Sequence, residues 1–592
     1  MHYLSQDQLD SKVDFIQSYI DAKNAAEGSY LDANANVESK NISTLENEIN
    51  KDIIIQLNRR LMTRKLTQLY GSQVARKYLR QIEHHDIYIH DETSLKPYCA
   101  SVSLYPMLLK GTMAVGGHSG APSTTKEFSS CFLELMTILS SQFAGAIATV
   151  EFLAYFDYYL RKDYGSHYFQ SHLSCVTDHL DLIVGTMNSP ATSRGFQGVF
   201  WNISLYDKYF FKTIFDGFVF PDGSSPDYSS ISRLQKFFLK WFRIEREKHI
   251  YTFPVVTSAM LSDESEPKDK EFGELCADEL SRGSAFFIYM SKNADSLSSC
   301  CRLRNEITDF SFSHTLGAGG VATGSVLVIT INMNRLVQKK HDLNELLDDI
   351  YKYHHGYRMI LKDLESGGML PAYSAGFITG KKQFSTIGVN GIVEAAESLG
   401  IEVSDNSQYK NFVSDLLKNI YAKNRKASKD LDFLFNTEFV PAENLGIKNA
   451  RWDKEDGLKV NRDCYNSYLF KVEDETIDAY DKVVLHGSEI GQYLDGGSAL
   501  HLNLEEYLSK KQYMALFRLA ASKGCNYFCT NVKVSVCDSC GYIDKKTVKI
   551  CKKCGSLQIS YATRIIGYLK KISSFSIGRQ TEHQLRSYHK TH

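Results

Sequence analysis

CDSCGYIDKKTVKICKKCGSLQISYATRIIGYL, residues 537–569, carries two C-x-x-C pairs and then an isolated glycine before a tyrosine. The pairs are Cys537/Cys540 and Cys551/Cys554, with ten residues, GYIDKKTVKI, between them. Tetrahedral zinc needs four soft or borderline ligands converging on one ion, and two such turns supply them. Four protein thiolates leave no open coordination position, so the site reads as structural. The intervening GYIDKKTVKI suits a hairpin. An iron–sulfur cluster is the alternative metal group, less suited to paired turns of this ribbon type. Taken alone, the Gly567-Tyr568 dipeptide reads as a turn or cap glycine. The adjacent metal motif reverses that reading: the knuckle is expected to anchor a loop whose glycine matters.

The rest of the chain bounds the possibilities. Its 592 residues, 43% hydrophobic with 35 Tyr and 33 Phe, suffice for one or more large cores. A formal net charge of −1 gives no electrostatic case for nucleic-acid or membrane binding. The polar start MHYLSQDQLDSK is unlike a signal peptide, and no apolar run has bilayer-crossing length. A cytoplasmic protein is expected. In a reducing compartment, thirteen cysteines point to metal binding and thiol chemistry rather than a disulfide framework.

Residues 1–50 are polar and predicted helical, with a loop near NANANVESKN, and residues 53–81 carry helical apolar spacing. HDIYIHDETSL reads as a strand entering a turn, and residues 125–165 as long, largely buried helices. YTFPVVTSAM, SVLVITINMNRL and GMLPAYSAGFI read as strands that meet a loop or helix, and IVEAAESLG as a short helix after STIGVNG. Strands alternating with helices over about 85–500 predict an α/β architecture. GAGGVATG, 317–324, lacks the spacing of a phosphate-binding fingerprint.

A zinc ribbon directly before RIIGYL resembles the C-terminal end of the anaerobic (class III) ribonucleoside-triphosphate reductases, which are glycyl radical enzymes. The family's R-x-x-G-Y stands here as Arg564, Ile565, Ile566, Gly567 and Tyr568, and the tail FSIGRQTEHQLRSYH is similar to the family's ending. The residue type fits the chemistry, because a radical on a glycine α-carbon is planar and a Cβ would crowd it. SSCCRLRNE, 298–306, resembles the segment that carries the thiyl cysteine; its position before Arg selects Cys301 over Cys300. HDIYIHDETSLKPYCASVSL resembles the H-D motif followed by a cysteine on the first barrel strand, matched by His90, Asp91 and Cys99. Each cysteine, alone, equally suits a buried structural position.

The resemblance implies a ten-stranded α/β barrel of the glycyl radical enzyme type with a C-terminal zinc ribbon. The expected divisions are an N-terminal helical region at 1–84 without an ATP-cone, a catalytic barrel at 85–520, a ribbon at 521–560, and a radical loop and tail at 561–592. It implies reduction of ribonucleoside triphosphates for DNA synthesis, with Gly567 the radical store, Cys301 the thiyl residue and Cys99 the hydrogen donor at C2′. TEFVPAENL makes Glu443 the candidate carboxylate, with a solvated loop Glu as its rival. Asn332, ending SVLVITIN, could bond substrate or cap a helix starting at Met333. A helix start within Ser385, Gly388 and Gly391 would offer N–H groups to nucleotide phosphates. Asn466, in a family-like N-S-aromatic element, and Cys300 complete the candidate substrate residues. The resemblance further implies structural zinc, a radical-SAM activase with a 4Fe-4S cluster, formate or a dithiol as reductant, dNTP or ATP effectors and a homodimer. Cys464, Cys525 and Cys529 are candidate extra thiols. The rival readings are a glycyl radical lyase, against which the ribbon counts, and a non-enzymatic zinc-ribbon protein.

Overall fold

The computed structural model describes residues 4–29, 31, 37, 39–190, 196–294, 296–298, 304–306, 321–440, 444–564, 569–575 and 577–589. The strands in chain order are β1 (Ile87–Ile89), β2 (Cys99–Ser101), β3 (Ile147–Ala148), β4 (Trp201–Tyr206), β5 (Val255–Leu261), β6 (Phe287–Ser291), β7 (Ser296–Ser298), β8 (Arg304–Glu306), β9 (Thr323–Asn332), β10 (Gln383–Asn390), β11 (Leu434–Phe439), β12 (Leu500–Leu504) and β13 (Tyr527–Val532). The ribbon adds β14 (Val534–Cys537), β15 (Ile543–Asp544), β16 (Ile559–Arg564) and β17 (Leu569–Lys571).

Ten strands form one path, β11-β10-β9-β2-β3-β4-β5-β6-β13-β12, with β1 added beside β9. Strands β2 to β6 run parallel to one another, and so do β9, β10 and β11, and β12 with β13. The antiparallel junctions are β2 with β9 and β6 with β13. The two ends of the path meet: Glu438 of β11 forms a parallel bridge with Gly497, just before β12. There Phe439 N–H donates to Gly497 O at 3.0 Å, and Gly496 N–H donates to Thr437 O at 2.7 Å. The result is a ten-stranded barrel of two five-stranded parallel halves set antiparallel, as expected. Its strands β4, β5, β9 and β10 are buried at every position, as parallel strands covered by helices require.

The N-terminal helices Ile42–Tyr70 and Ser72–Glu83 are divided at Gly71, whose φ of +86° ends the first at no steric cost. GMLPAYSAGFI departs from expectation. Residues Pro371–Ser374 form a helical turn, with Pro371 at its first position, where a missing N–H costs nothing. The expected hairpin within GYIDKKTVKI is also replaced. Strand β15 pairs back onto β14, across the first cysteine turn. Strand β13 belongs to the barrel although it lies in the stretch expected to be ribbon.

Candidate functional site

Cys99 opens β2 at the antiparallel junction, paired with Ser325 of β9. It is buried, and Ala146 N–H donates to its Sγ at 3.2 Å. Two glycines make this approach possible. An ideal Cβ on Gly145 would lie 2.4 Å from Cys99 Sγ, and one on Gly324 would lie 2.3 Å from Cys99 O. Beside it His90 Nε2 meets Thr330 Oγ1 at 2.8 Å, and Asp91 takes a positive φ at the turn that follows β1.

Cys300, Cys301, Glu443 and Gly567 lie outside the described residues. The strands bracketing the cysteine and glycine positions are described. β7 and β8 pair antiparallel with Ser298 opposite Arg304, around the cysteine pair. β16 and β17 pair antiparallel with Arg564 opposite Leu569, around the glycine. Strand β6 relates to both: it precedes β7 in the chain, and the Arg564 guanidinium lies over the ring of its Phe287 at 5.5 Å.

Asn332 caps the helix Met333–Gln338. Its Oδ1 accepts from Arg335 N–H at 3.2 Å, and its Nδ2 donates to Asp453 at 3.0 and 3.2 Å. Asp453, fully buried, also receives Arg335 Nε at 2.8 Å, Asn334 Nδ2 at 3.1 Å and the Tyr465 hydroxyl. The capping alternative is thus what the described geometry contains, and no motif in the sequence pointed to Asp453. Asn466 is similarly engaged: its N–H and Nδ2 both donate to Glu394 Oε1 at 2.9 Å, while its Oδ1 accepts from Val472 N–H at 3.1 Å.

Ser385 and Gly388 do not form a helix start. Both lie inside β10, which continues to Asn390, and the helix Ile392–Ser398 begins only after Gly391 at φ +81°. β-branched and aromatic residues in QFSTIGVN favour strand over helix. Ser385 Oγ accepts from Arg358 Nε at 3.0 Å. A Cβ on Gly388 would meet Thr330 Oγ1 at 2.1 Å, so that glycine permits strand packing. Six residues of strand, about 20 Å, separate Ser385 from Gly391, too far to share one phosphate.

The four ribbon sulfurs all lie within 4.8 Å of one another. Cys537 and Cys554 are 3.6 Å apart and Cys540 and Cys551 3.7 Å. Zn–S bonds of about 2.3 Å at tetrahedral angles require S···S near ~3.8 Å, so this donor set fits zinc. Each C-x-x-C turn closes alike. Gly541 N–H donates to Cys537 O and Gly555 N–H to Cys551 O, both at 2.9 Å, with both glycines at φ +73°. The glycine after each pair, C-x-x-C-G, was the unused signal in the sequence. Of the other thiols, Cys464 and Cys525 are buried, and burial pushes them up to about 11 and about 12. Cys529 is buried on β13. Among the described residues, no helix is long and apolar enough to cross a membrane.

A closed ten-stranded barrel with a cysteine on its first strand and a four-thiolate ribbon beside it defines the architecture of a radical-type ribonucleotide reductase. Residues 46–589 match the sequence model described as anaerobic ribonucleoside-triphosphate reductase, and the chain belongs to that family of oxidoreductases. A solved anaerobic ribonucleotide reductase superposes with a TM-score of 0.87 at 24% identity, covering 99% of this chain and 93% of that one. The Thermotoga maritima enzyme with MES in its active site gives 0.84 at 25% identity, covering 96% and 94%. The same enzyme in complex with dATP and CTP gives 0.83 at 24% identity, covering 99% and 100%. None of the curated proteins matches the chain. The protein reduces nucleotides by glycyl radical chemistry, and the lyase and scaffold readings are not favoured.

Proposed function

We propose that Gly567 stores the radical, Cys301 relays it to the ribose and Cys99 supplies the second hydrogen. The observation that carries this reading is Cys99 itself, a thiol buried on the first strand of a barrel whose family match spans both other positions. In the active enzyme the Gly567 α-carbon takes the hydrogen of Cys301, leaving a thiyl radical. That sulfur abstracts the 3′ hydrogen. The 2′ hydroxyl leaves as water, with proton help from Glu443. Cys99 gives hydrogen to C2′, and Cys301 returns the 3′ hydrogen. The overall change consumes two electrons and two protons, drawn from formate or a dithiol. A radical-SAM activase with a 4Fe-4S cluster generates the glycyl radical. Enclosure in the barrel keeps water and stray thiols from the intermediates.

Asn332, Gly391, Cys300 and Asn466 are retained as substrate-side positions, whereas Ser385 and Gly388, enclosed within β10, are not. For Asn332 and Asn466 the internal hydrogen bonds favour a role in shaping the wall over direct contact. The four thiolates would hold zinc, which supplies rigidity and takes part in no step. The Thermotoga enzyme has been solved with dATP in its specificity site, which supports dNTP effectors here; a homodimer is part of the same proposal. A helical region at 1–84 serves this scheme, as does a cytoplasmic setting. The barrel runs from 85 through β13 rather than ending at 520, and the ribbon sheet runs from β14 to β17 rather than ending at 560.

The test is anaerobic activation followed by assay of CTP and ATP reduction, with formate and separately with a dithiol. The Cys301→Ser variant should keep the glycyl EPR doublet and make no deoxynucleotide, whereas Gly567→Ala should lose the doublet. Turnover by Cys301→Ser, or a doublet surviving in Gly567→Ala, overturns the assignment.

A further inference from the structure

A cleft with apolar walls and several basic side chains lies between the ribbon and the barrel. It is bounded by the end of helix Tyr228–Glu245, the residues before β6, strands β13 and β14, and the β16/β17 hairpin. Its cavity volume is about 50 Å³, room for a small ion. Its walls carry Arg243, Arg246, Lys545 and Arg564, against the single carboxylate of Glu247. Glu247 is already engaged, 2.8 Å from Lys545 and 3.9 Å from Arg243, and Arg243 also meets Glu279 at 3.0 Å.

Arg246 and Arg564 have no such partner: among the described residues, neither lies within ion-pair distance of a carboxylate. Arg246 donates to three carbonyls, Tyr251 O at 3.1 Å, Ala285 O at 2.9 Å and Thr252 O at 3.5 Å, and stacks on Phe242 at 4.1 Å. Those bonds fix the guanidinium yet leave its charge uncompensated and two of its five N–H donors unused. Arg564 is 5% exposed, and its buried Nη1 has no hydrogen-bond partner. An orphaned buried guanidinium donor costs free energy unless something fills its place. Burial and the neighbouring Arg564 charge push Arg246 down to about 9. Tyr507 lines the same cleft and senses both arginines, which offset the upward push of burial on its phenol.

We propose that this cleft binds a small oxyanion, a carboxylate or a phosphate, held between Arg246 and Arg564 with Tyr507 beside it. Paired guanidinium groups suit planar or tetrahedral oxyanions, to which they donate charge-assisted bonds. The site does not depend on the radical scheme. Its position gives it a consequence: Arg564 closes β16, so the anion ties the residue capping helix Tyr228–Glu245 to the hairpin strand that leads to position 567.

The experiment is calorimetric titration of the full-length, zinc-loaded, unactivated protein. Sodium phosphate and sodium acetate are the two probes, in separate arms, with ionic strength held by sodium chloride. Saturable binding of one anion per chain is expected, and the arm that binds assigns phosphate or carboxylate. Arg246→Gln should weaken it by about tenfold or more, the loss of one charged donor. Glu247→Gln, which removes the facing negative charge and leaves both arginines in place, should tighten it several-fold. Amide exchange in residues 559–564 and 569–571 should slow on binding. Heat from neither probe, or affinities unchanged in both variants, overturns the proposal.

Discussion

At position 145 there is no room for a side chain. A Cβ would sit 2.4 Å from Cys99 Sγ and 3.1 Å from Tyr98 O, in a strand junction where the sulfur already accepts the Ala146 N–H. Gly145→Ala must therefore push the thiol aside. Overpacking of this kind costs about 1–3 kcal/mol, small enough for a barrel of this size to remain folded. The expected outcome is a modest drop in unfolding temperature, an unchanged glycyl EPR doublet after activation, and a large fall in deoxynucleotide formed. Normal turnover would separate Cys99 from the chemistry. Cys99 was legible in the sequence through the motif that precedes it. Gly145 was not, because the contact joins residues far apart in the chain and glycine carries no local sign of what it makes room for.

Among the elements, the ribbon was the most legible, since four cysteines at fixed spacing allow few geometries. What spacing could not reveal was the pairing of β15 with β14, or that β17 adds a fourth strand beyond the glycine position. Its small core, Val534, Val536, Ile543 and Ala562, is seated on Ile250 and Leu569. So few apolar residues cannot hold a four-stranded sheet without the metal. Cys540→Ser should lose its zinc by elemental analysis and fail to form the glycyl doublet, while the barrel keeps its unfolding transition; a full doublet in a zinc-free variant would refute the anchoring role. The cap of helix Met333–Gln338 illustrates the opposite limit. Asn332 could be read as a cap from sequence, but its anchor, Asp453, lies on the helix Leu445–Glu455. Asp453 and Arg335 are both fully enclosed. Asp453→Ala would leave Arg335 only its ion pair with the half-exposed Asp456 and would take the shared acceptor from Asn332, Asn334 and Tyr465, so it should cost about 3 kcal/mol in denaturant unfolding, the low end for breaking a buried pair. A loss below about 1 kcal/mol would mean the arginine finds water or another partner.

Across the whole molecule, alternating helix and strand patterns foretold an α/β chain, while the two antiparallel junctions and the Glu438–Gly497 closure rest on long-range pairing that no local pattern encodes. A core of this size also buries groups that titrate, and they respond to acid in opposite senses. His354 lies fully buried, where desolvation, with help from the Arg358 charge, lowers it from 6.5 to about 3. Below pH 6.5 the unfolded chain binds a proton there that the folded chain refuses, so its contribution to stability is present above 6.5 and is lost as pH falls. Asp207, capping helix Lys208–Ile214, is raised from 3.8 to about 6, again chiefly by desolvation. Its folded carboxyl holds a proton that the unfolded one releases, so its contribution is present below 3.8 and is lost as pH rises through about 6. Each can be isolated by its neutral substitute. Between pH 7.5 and 4.5, the unfolding temperature of the wild type should fall relative to His354→Gln, each unshared proton being worth at most about 1.4 kcal/mol per pH unit. Over the same interval it should rise relative to Asp207→Asn. Parallel curves for wild type and both variants would mean that neither group is as dry as the fold makes it, and curves diverging in the reversed order would invert the proton balance argued from burial.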